Sequence, residues 1–171
     1  MQAGDVLVLV GATTGELGAS MYLREVLGRE DGAPPPVDLA LERRTGDMIR
    51  ALILSGDLRT VHDLSDGGLV AAAAEMALAS NVGLALNVQG DIADHAAFFG
   101  EDQARYLVAL GHDALEALDA AAEAAGVAYA IVGQAGGDEV SLSGASGFIT
   151  AVDLEDLRAK HEGWLPGFMG E

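Results

Sequence analysis

The sequence of 171 residues has no cysteine, few aromatic residues and few basic residues. Without cysteine the chain has no disulfide, no thiolate metal site and no cysteine nucleophile. Aromatic residues make up 5% of the chain, so its core must be built from alanine, valine, leucine and isoleucine. The 27 acidic and nine basic residues give a formal charge of −18, which repels nucleic acid and anionic lipid. We therefore expect neither nucleic acid nor a membrane as a partner.

The sequence also lacks a long hydrophobic run and a signal peptide. Its apolar run from Val6 to Val10 is five residues long, whereas a membrane span needs roughly 20 apolar residues. We therefore expect a soluble, cytoplasmic protein. The length suits one compact domain over residues 1–171, or one half of something larger.

Hydrophobic patterning predicts strands that alternate with helices. The predicted strands are residues 6–10, 60–64, 82–88, 105–110, 128–133, 139–142 and 148–152. The predicted helices are residues 21–27, 39–54, 69–78, 112–125 and 154–161, the last running out near Pro166. This alternation indicates an α/β (or α+β) fold in which helices cover a sheet.

A glycine-rich loop follows the first predicted strand. Its glycines and hydroxyls favour an anion site, since backbone N–H groups of such a loop are able to converge on one phosphate. The candidate binding residues of the loop are Gly11, Thr13, Thr14, Gly15, Gly18 and Ser20. The loop lacks the Gly-Lys-Ser/Thr of a P-loop and a clean dinucleotide fingerprint, and an ordinary structural turn is the alternative.

A second polar turn joins a predicted strand to a predicted helix. Asp63 and Asp66 project from the carboxyl end of the strand, where they would meet a ligand hydroxyl, a metal or a neighbouring domain. In the structural alternative, Ser65 or Asp66 caps the helix, and Gly67 and Gly68 allow close packing of the helix on the strand.

A third polar cluster comes just before the strand predicted from residue 105. Glu101, Asp102, Gln103 and Arg105 form either an ion-pair network or contacts to a polar substrate. The four histidines lack the spacing of metal ligands, and no Ser-His-Asp arrangement is evident. We therefore predict no catalytic residue and no metal ligand in this chain.

These segments, in this order, resemble a known family. The glycine loop, the His-Asp-Leu-Ser-Asp-Gly-Gly-Leu of residues 62–69, the Gly-Glu-Asp-Gln-Ala-Arg of residues 100–105 and the Gly-Gln-Ala-Gly-Gly of residues 133–137 carry the resemblance. They are similar to the carboxyl-terminal domain of the aminoimidazole ribonucleotide synthetase superfamily. Within it, the chain looks most like the last domain of the phosphoribosylformylglycinamidine synthase family, over nearly its whole length.

The resemblance implies an α/β/α layered fold around a mixed sheet, related in part to the ferredoxin-like arrangement. It also implies a domain of an ATP-dependent carbon–nitrogen ligase of purine biosynthesis, which turns formylglycinamide ribonucleotide into its amidine with ammonia from glutamine. The implied partners are amino-terminal ATP-handling domains of the same enzyme, a glutaminase subunit or domain, and a phosphorylated substrate. ATP and Mg²⁺ would be held mainly by a domain absent from this chain, and the isolated chain is expected to be inactive.

The resemblance also suggests a role for two segments. In the family's first copy of this domain, the counterparts of the glycine loop and of residues 101–103 contact the phosphorylated substrate. The loop of this chain resembles the second copy, which lies beside a site regarded as structural, so we expect it to bind phosphate or to border an auxiliary nucleotide site. The alternatives are a non-catalytic interaction domain and a hydrogenase-maturation or related enzyme domain, the latter disfavoured by Asp66.

The charge is unevenly distributed along the chain. Up to Thr60 the sequence has nine acidic residues and six arginines, whereas the remainder has 18 acidic and three basic residues. Because the glycine loop belongs to the less acidic part, we expect any phosphate-tolerant surface to lie there.

Overall fold

The computed structural model describes residues 1–170, which form one seven-stranded sheet and five α-helices. The strands are β1 (Val6–Val10), β2 (Thr60–Asp63), β3 (Leu84–Val88), β4 (Tyr106–Leu110), β5 (Tyr129–Ala135), β6 (Glu139–Gly144) and β7 (Ile149–Asp153). The helices are α1 (Leu39–Ser55), α2 (Gly68–Ser80), α3 (Asp94–Phe99), α4 (Leu115–Ala125) and α5 (Leu154–Met169). The predicted α/β fold is confirmed.

The sheet is mixed and places its strands out of chain order. The strands lie in the order β2-β4-β1-β5-β3-β6-β7. Strands β3 and β6 run parallel, and the other neighbouring pairs are antiparallel. Tyr106 of β4 pairs with Val10 of β1 on one side and with Asp63 of β2 on the other. The ends of β1 and β2 therefore meet the start of β4 at one end of the sheet.

Strand β1 is buried on both faces and separates two hydrophobic cores. Leu7 and Leu9 point into a core shared with α2, α3 and α5. Val6, Val8 and Val10 point into a second core, shared with α1 and α4. The helices on both sides of the sheet explain why this strand is a continuous apolar run rather than an alternating one.

Two helix ends differ from the sequence prediction. Neither Ser65 nor Asp66 caps α2; its N-cap is Gly67, with φ of 81° and no side-chain cap. Helix α5 does not run out near Pro166 but continues to Met169. Proline removes one backbone hydrogen bond of the helix, and here that loss does not end it.

Two further segments also differ. The helix predicted for residues 21–27 is a single π-helical turn, Tyr22–Val26. Helix α3 was not predicted, because its six residues are too few to show a helical period. Among residues 1–170, no helix combines the length and apolar character needed to cross a membrane.

One polar atom in the core is unsatisfied. Thr45 lies in α1 and is completely buried. Within the described residues, its hydroxyl is the buried side-chain polar atom that lacks a hydrogen-bond partner. Burying an unpaired hydroxyl costs free energy, because its hydrogen bonds to water are lost and not replaced.

We predict that Thr45→Val raises the free energy of unfolding by about 1 kcal/mol, since valine keeps the shape of threonine and removes the unpaired hydroxyl. Urea unfolding followed by circular dichroism measures the change. The matched control is Thr60→Val on β2, where the residue is only partly buried and little change is expected. A less stable Thr45→Val protein would contradict the prediction.

Candidate functional site

The three polar segments singled out in the sequence meet at one end of the sheet. The glycine loop, residues 11–20, leaves β1, the turn of residues 64–67 leaves β2, and residues 100–105 lead into β4. Because β4 pairs antiparallel with both β1 and β2, the start of β4 lies beside the ends of the other two strands. We call this meeting point the junction.

The Asp102 carboxylate lies at the centre of the junction and is 5% exposed. Its Oδ1 accepts hydrogen bonds from the N–H of Thr14 at 3.0 Å, the N–H of Glu16 at 3.4 Å and the Thr14 hydroxyl. Its Oδ2 accepts a hydrogen bond from the N–H of Gly15 at 3.2 Å. The donors that the sequence analysis assigned to an external anion are therefore directed at a carboxylate of the chain itself.

Arg105 pairs with the Asp102 carboxylate. Its guanidinium is buried, with Nη2 at 3.3 Å from Asp102 Oδ2. Its Nη1 donates to the Thr13 hydroxyl at 3.1 Å, and Nη2 also donates to the Gly100 carbonyl. The side chain thus holds the loop after β1 and the segment before β4 together.

The environment of Asp102 favours its charged form. Burial is the largest influence on the pKa of Asp102 and raises it. Hydrogen bonds from Thr14 and Glu16 and the charge of Arg105 act in the opposite direction and prevail, so the pKa lies below its ordinary value. Burial lowers the pKa of Arg105, and the Asp102 charge opposes that shift. A guanidinium nevertheless stays protonated in proteins, so the pair is ionic.

Glu101 ties the third segment to the junction. Its Oε1 accepts hydrogen bonds from the N–H of Met21 at 2.9 Å and from the N–H of Gly67 at 2.8 Å. Gly67 precedes α2, so the Glu101 carboxylate lies at the positive end of that helix. Because Gly67 has no side chain to cap the helix, the Glu101 carboxylate caps it instead. The backbone N–H of Glu101 donates in turn to the carbonyl of Glu16 at 2.8 Å.

Two backbone features make this close packing possible. A Cβ on Gly11 would lie 2.5 Å from the Ala104 carbonyl oxygen, and one on Gly68 would overlap the Gly100 carbonyl. Both glycines have positive φ, of 94° and 64°. Ala104 itself has a φ of 58°, and its N–H donates to Glu42 Oε1 at 2.8 Å. The junction therefore depends on glycine at positions where a side chain does not fit.

An open cleft of about 280 Å³ borders the junction. Its lining includes four carboxylates, those of Glu42, Asp63, Asp66 and Glu101. Carboxylates in such a cleft accept hydrogen bonds from hydroxyl and amino groups and repel phosphates. Among residues 1–170, no three or more His, Asp or Glu side chains are grouped so that they could hold a metal ion.

Most of the predicted site residues lie in the cleft or around Asp102. The cleft is lined by Asp63, Ser65, Asp66, Glu101, Gln103 and Arg105. The loop residues Thr14 and Gly15 face Asp102, whereas Gly11 and Thr13 also line a separate cavity of about 360 Å³. Ser20 is buried and accepts the N–H of Leu23. Gly18 packs against the backbone of Ala33, so these last two residues face neither Asp102 nor the cleft.

Glu42 is the charged residue of the cleft that the sequence analysis missed. It lines the cleft and holds the strained backbone of Ala104. Glu42 lies in α1, 62 residues before Ala104, and no local pattern marks it. Only the packing of α1 beside β4 brings it to the junction.

His62 bridges β2 and α2 beside the cleft. Its Nδ1 lies 2.6 Å from the Asp63 carbonyl oxygen, and its Nε2 lies 2.8 Å from Glu75 Oε2. A carbonyl and a carboxylate both accept hydrogen bonds, so the geometry suits a ring with a proton on each nitrogen. Burial is the largest influence on the pKa of His62 and lowers it, but the bonds to Asp63 and Glu75 prevail and raise it.

Residues 2–144 match the family model described as AIR synthase related protein, C-terminal domain. The phosphoribosylformylglycinamidine synthase subunit PurL of Caulobacter vibrioides is 58% identical over 166 residues, 97% of this chain. The PurL subunit of Methylocella silvestris is 48% identical over 168 residues, 98% of this chain. The chain spans 22% of the length of each relative.

Solved structures share the fold. Thermotoga maritima PurL complexed with FGAR has a TM-score of 0.77 at 18% identity, over 91% of this chain and 28% of that chain. Escherichia coli HypE, a hydrogenase maturation protein, has a TM-score of 0.62 at 25% identity, over 90% of this chain and 51% of that chain. The similarity to the T. maritima structure confirms the architecture. The family model and the sequence relatives show the family to which the chain belongs.

We predict that the contribution of His62 to the free energy of unfolding decreases as the pH rises. Because folding raises its pKa, its contribution is fully present below the unfolded-state pKa of about 6.5 and is lost as the pH passes the folded-state pKa. His62→Gln should therefore lower the free energy of unfolding by up to about 1 kcal/mol in mildly acidic buffer and by less in alkaline buffer.

Urea unfolding of both proteins across this pH range tests the prediction. Glu75→Gln serves as the matched variant, because it removes the charged acceptor of the His62 ring and should weaken the same pH dependence. A cost of His62→Gln that grows with pH would contradict the prediction.

Proposed function

Because the chain belongs to the AIR synthase related protein family, as a C-terminal domain, we propose that it is a domain of a phosphoribosylformylglycinamidine synthase. That enzyme would convert formylglycinamide ribonucleotide to its amidine, with ATP as the activating substrate and ammonia supplied from glutamine. The observation that carries the proposal is the 58% identity to a PurL subunit over 97% of this chain. The chain corresponds to 22% of that relative, so the remaining machinery would belong to other domains.

The proposed contribution of this domain is one wall of the substrate cleft. The residues that would form it are the exposed cleft members Asp63, Ser65, Asp66 and Gln103, with Glu101 behind them. Carboxylates at the end of a strand accept hydrogen bonds from ribose hydroxyls. We therefore assign to the cleft a hydroxyl- or amide-bearing part of the substrate or of an auxiliary nucleotide, and not its phosphate.

ATP and Mg²⁺ are assigned to another domain of the same enzyme. The glycine loop of this chain does not suit the phosphates of a nucleoside triphosphate, because its N–H groups are directed at Asp102. The four carboxylates of the cleft would repel the charged phosphates. This domain would act by positioning the substrate, which lowers the barrier without a chemical group of its own.

The proposed partners follow from the same assignment. They are the amino-terminal ATP-handling domains of the enzyme and a glutaminase subunit or domain that delivers ammonia. The relatives are named as subunits, which supports assembly with a further polypeptide. The proposed location is the cytoplasm, where purine precursors are made.

A hydrogenase-maturation domain is the second candidate. The E. coli HypE structure supports it through a TM-score of 0.62 at 25% identity. The PurL relatives are more similar in sequence, at 58% and 48% identity, and they support the synthase instead.

ATP hydrolysis that depends on formylglycinamide ribonucleotide tests the proposal. We expect the natural enzyme that contains this domain to show it in the presence of a glutamine or ammonia source, and the 171-residue chain alone to show none. Activity of the isolated chain would overturn its role as a dependent domain. A whole enzyme without this activity would favour the hydrogenase-maturation candidate or a non-catalytic interaction domain.

Asp66→Ala in the whole enzyme tests the cleft. If Asp66 accepts a hydrogen bond from the substrate, its loss should raise KM by about tenfold, which corresponds to roughly 1.4 kcal/mol. Glu123→Ala is the matched control, because Glu123 is an exposed carboxylate on α4 and does not line the cleft. Equal effects of the two substitutions on KM would contradict the assignment.

A further inference from the structure

The glycine loop has the geometry of an anion-binding loop whose anion is already present. Consecutive N–H groups of Thr14, Gly15 and Glu16 converge on the Asp102 carboxylate at 3.0, 3.2 and 3.4 Å. Successive backbone N–H groups that point into one concavity form a characteristic site for phosphate and similar anions. Here the carboxylate fills that concavity.

The side chains around the carboxylate belong to the same type of site. Arg105 Nη2 lies 3.3 Å from Asp102 Oδ2, and the Thr14 hydroxyl donates to Asp102 Oδ1. A buried guanidinium, a hydroxyl and three N–H groups together make a donor set suited to a phosphate group. Both Asp102 and Arg105 are more than nine-tenths buried, so the set is held in place by the fold.

We propose that Asp102 is the specificity-determining residue of the glycine loop, an internal anion that occupies the phosphate position and closes the loop to phosphorylated ligands. A free phosphate competes poorly, since the carboxylate is tethered to the chain and has a high effective concentration at the loop. When the Asp102 carboxylate is removed, the same donors become available to an external phosphate group.

The proposal separates two tasks that a glycine loop combines in other proteins. The N–H groups of Thr14 and Gly15 act inside the fold, where they bind Asp102 and so fix Arg105 and Glu101 beside the cleft. Recognition of a ligand is left to the carboxylates and amide of the cleft. The proposal concerns anion binding by the chain alone and is independent of the proposed enzyme activity.

Phosphate titration of the 171-residue chain, followed by amide NMR, tests the proposal. In the wild-type chain the signals of Thr14, Gly15 and Glu16 should not move with inorganic phosphate. In Asp102→Ala the same signals should shift and saturate, with half-saturation at about 1 to 10 mM. Either saturable shifts of these signals in the wild type or none in a folded Asp102→Ala chain would overturn the proposal.

Asp94→Ala is the matched control for the loss of one negative charge. The Asp94 carboxylate also accepts hydrogen bonds from a backbone N–H and a hydroxyl, both of Ser146, and it lies against Gly144. It receives one backbone N–H, whereas Asp102 receives three, and among residues 1–170 it forms no ion pair with an arginine. Asp94→Ala should therefore not bind phosphate. If it binds phosphate as well as Asp102→Ala does, the effect is one of net charge and the proposal fails.

Folding of Asp102→Ala is monitored in parallel by circular dichroism. If the variant is unfolded without phosphate, added phosphate should restore its folded spectrum, because binding to the folded state stabilises that state. Failure of phosphate to restore the fold would count against the proposal. The wild-type titration is informative in either case, since saturable binding at the loop alone overturns it.

Discussion

The buried ion pair of Asp102 and Arg105 is the interaction on which the junction depends. A charge taken out of water costs several kcal/mol unless partners offset that loss. The offsetting donors come from the loop after β1, while the charged pair itself precedes β4. If the loop after β1 moved away from the segment before β4, the buried charges would lose these donors. The fold therefore has to keep the two segments together. The position of Glu101, and through it the start of α2, follows from this constraint.

The sequence predicts the elements of this fold better than their arrangement. Strand β1 is evident because a short apolar run is typical of a strand buried on both faces. The contact between Thr14 and Asp102, however, joins residues 88 positions apart. It depends on β4 being placed beside β1, and no local pattern encodes strand order. Glu42 could not be predicted for the same reason. Gly67 was not predicted as the N-cap of α2, because glycine has no capping side chain and the Glu101 carboxylate, from another segment, accepts its N–H instead.

Folding also changes the meaning of the charge distribution. The less acidic first part of the sequence was expected to provide a phosphate-tolerant surface, but its Glu42 joins the acids of the second part in the cleft. The arginines that form exposed ion pairs with neighbouring acids in that first part are Arg24, Arg29, Arg43 and Arg50. Their charges are thus partly neutralised locally. The cleft is acidic because packing, not chain position, decides which charges are neighbours.

The placement of β1 in the sheet has a consequence for synthesis of the chain. Val6 pairs with Leu110 of β4 on one side and with Gln134 of β5 on the other, so both partner strands are translated long after β1. At about 5 to 20 residues per second, that interval is roughly 5 to 25 s. During it, a five-residue strand of valine and leucine has neither of its neighbours and exposes an apolar edge. Sheets built from such distant pairings fold slowly and are prone to aggregation while incomplete. The nascent chain should therefore be most dependent on chaperones until β4 and β5 have left the ribosome.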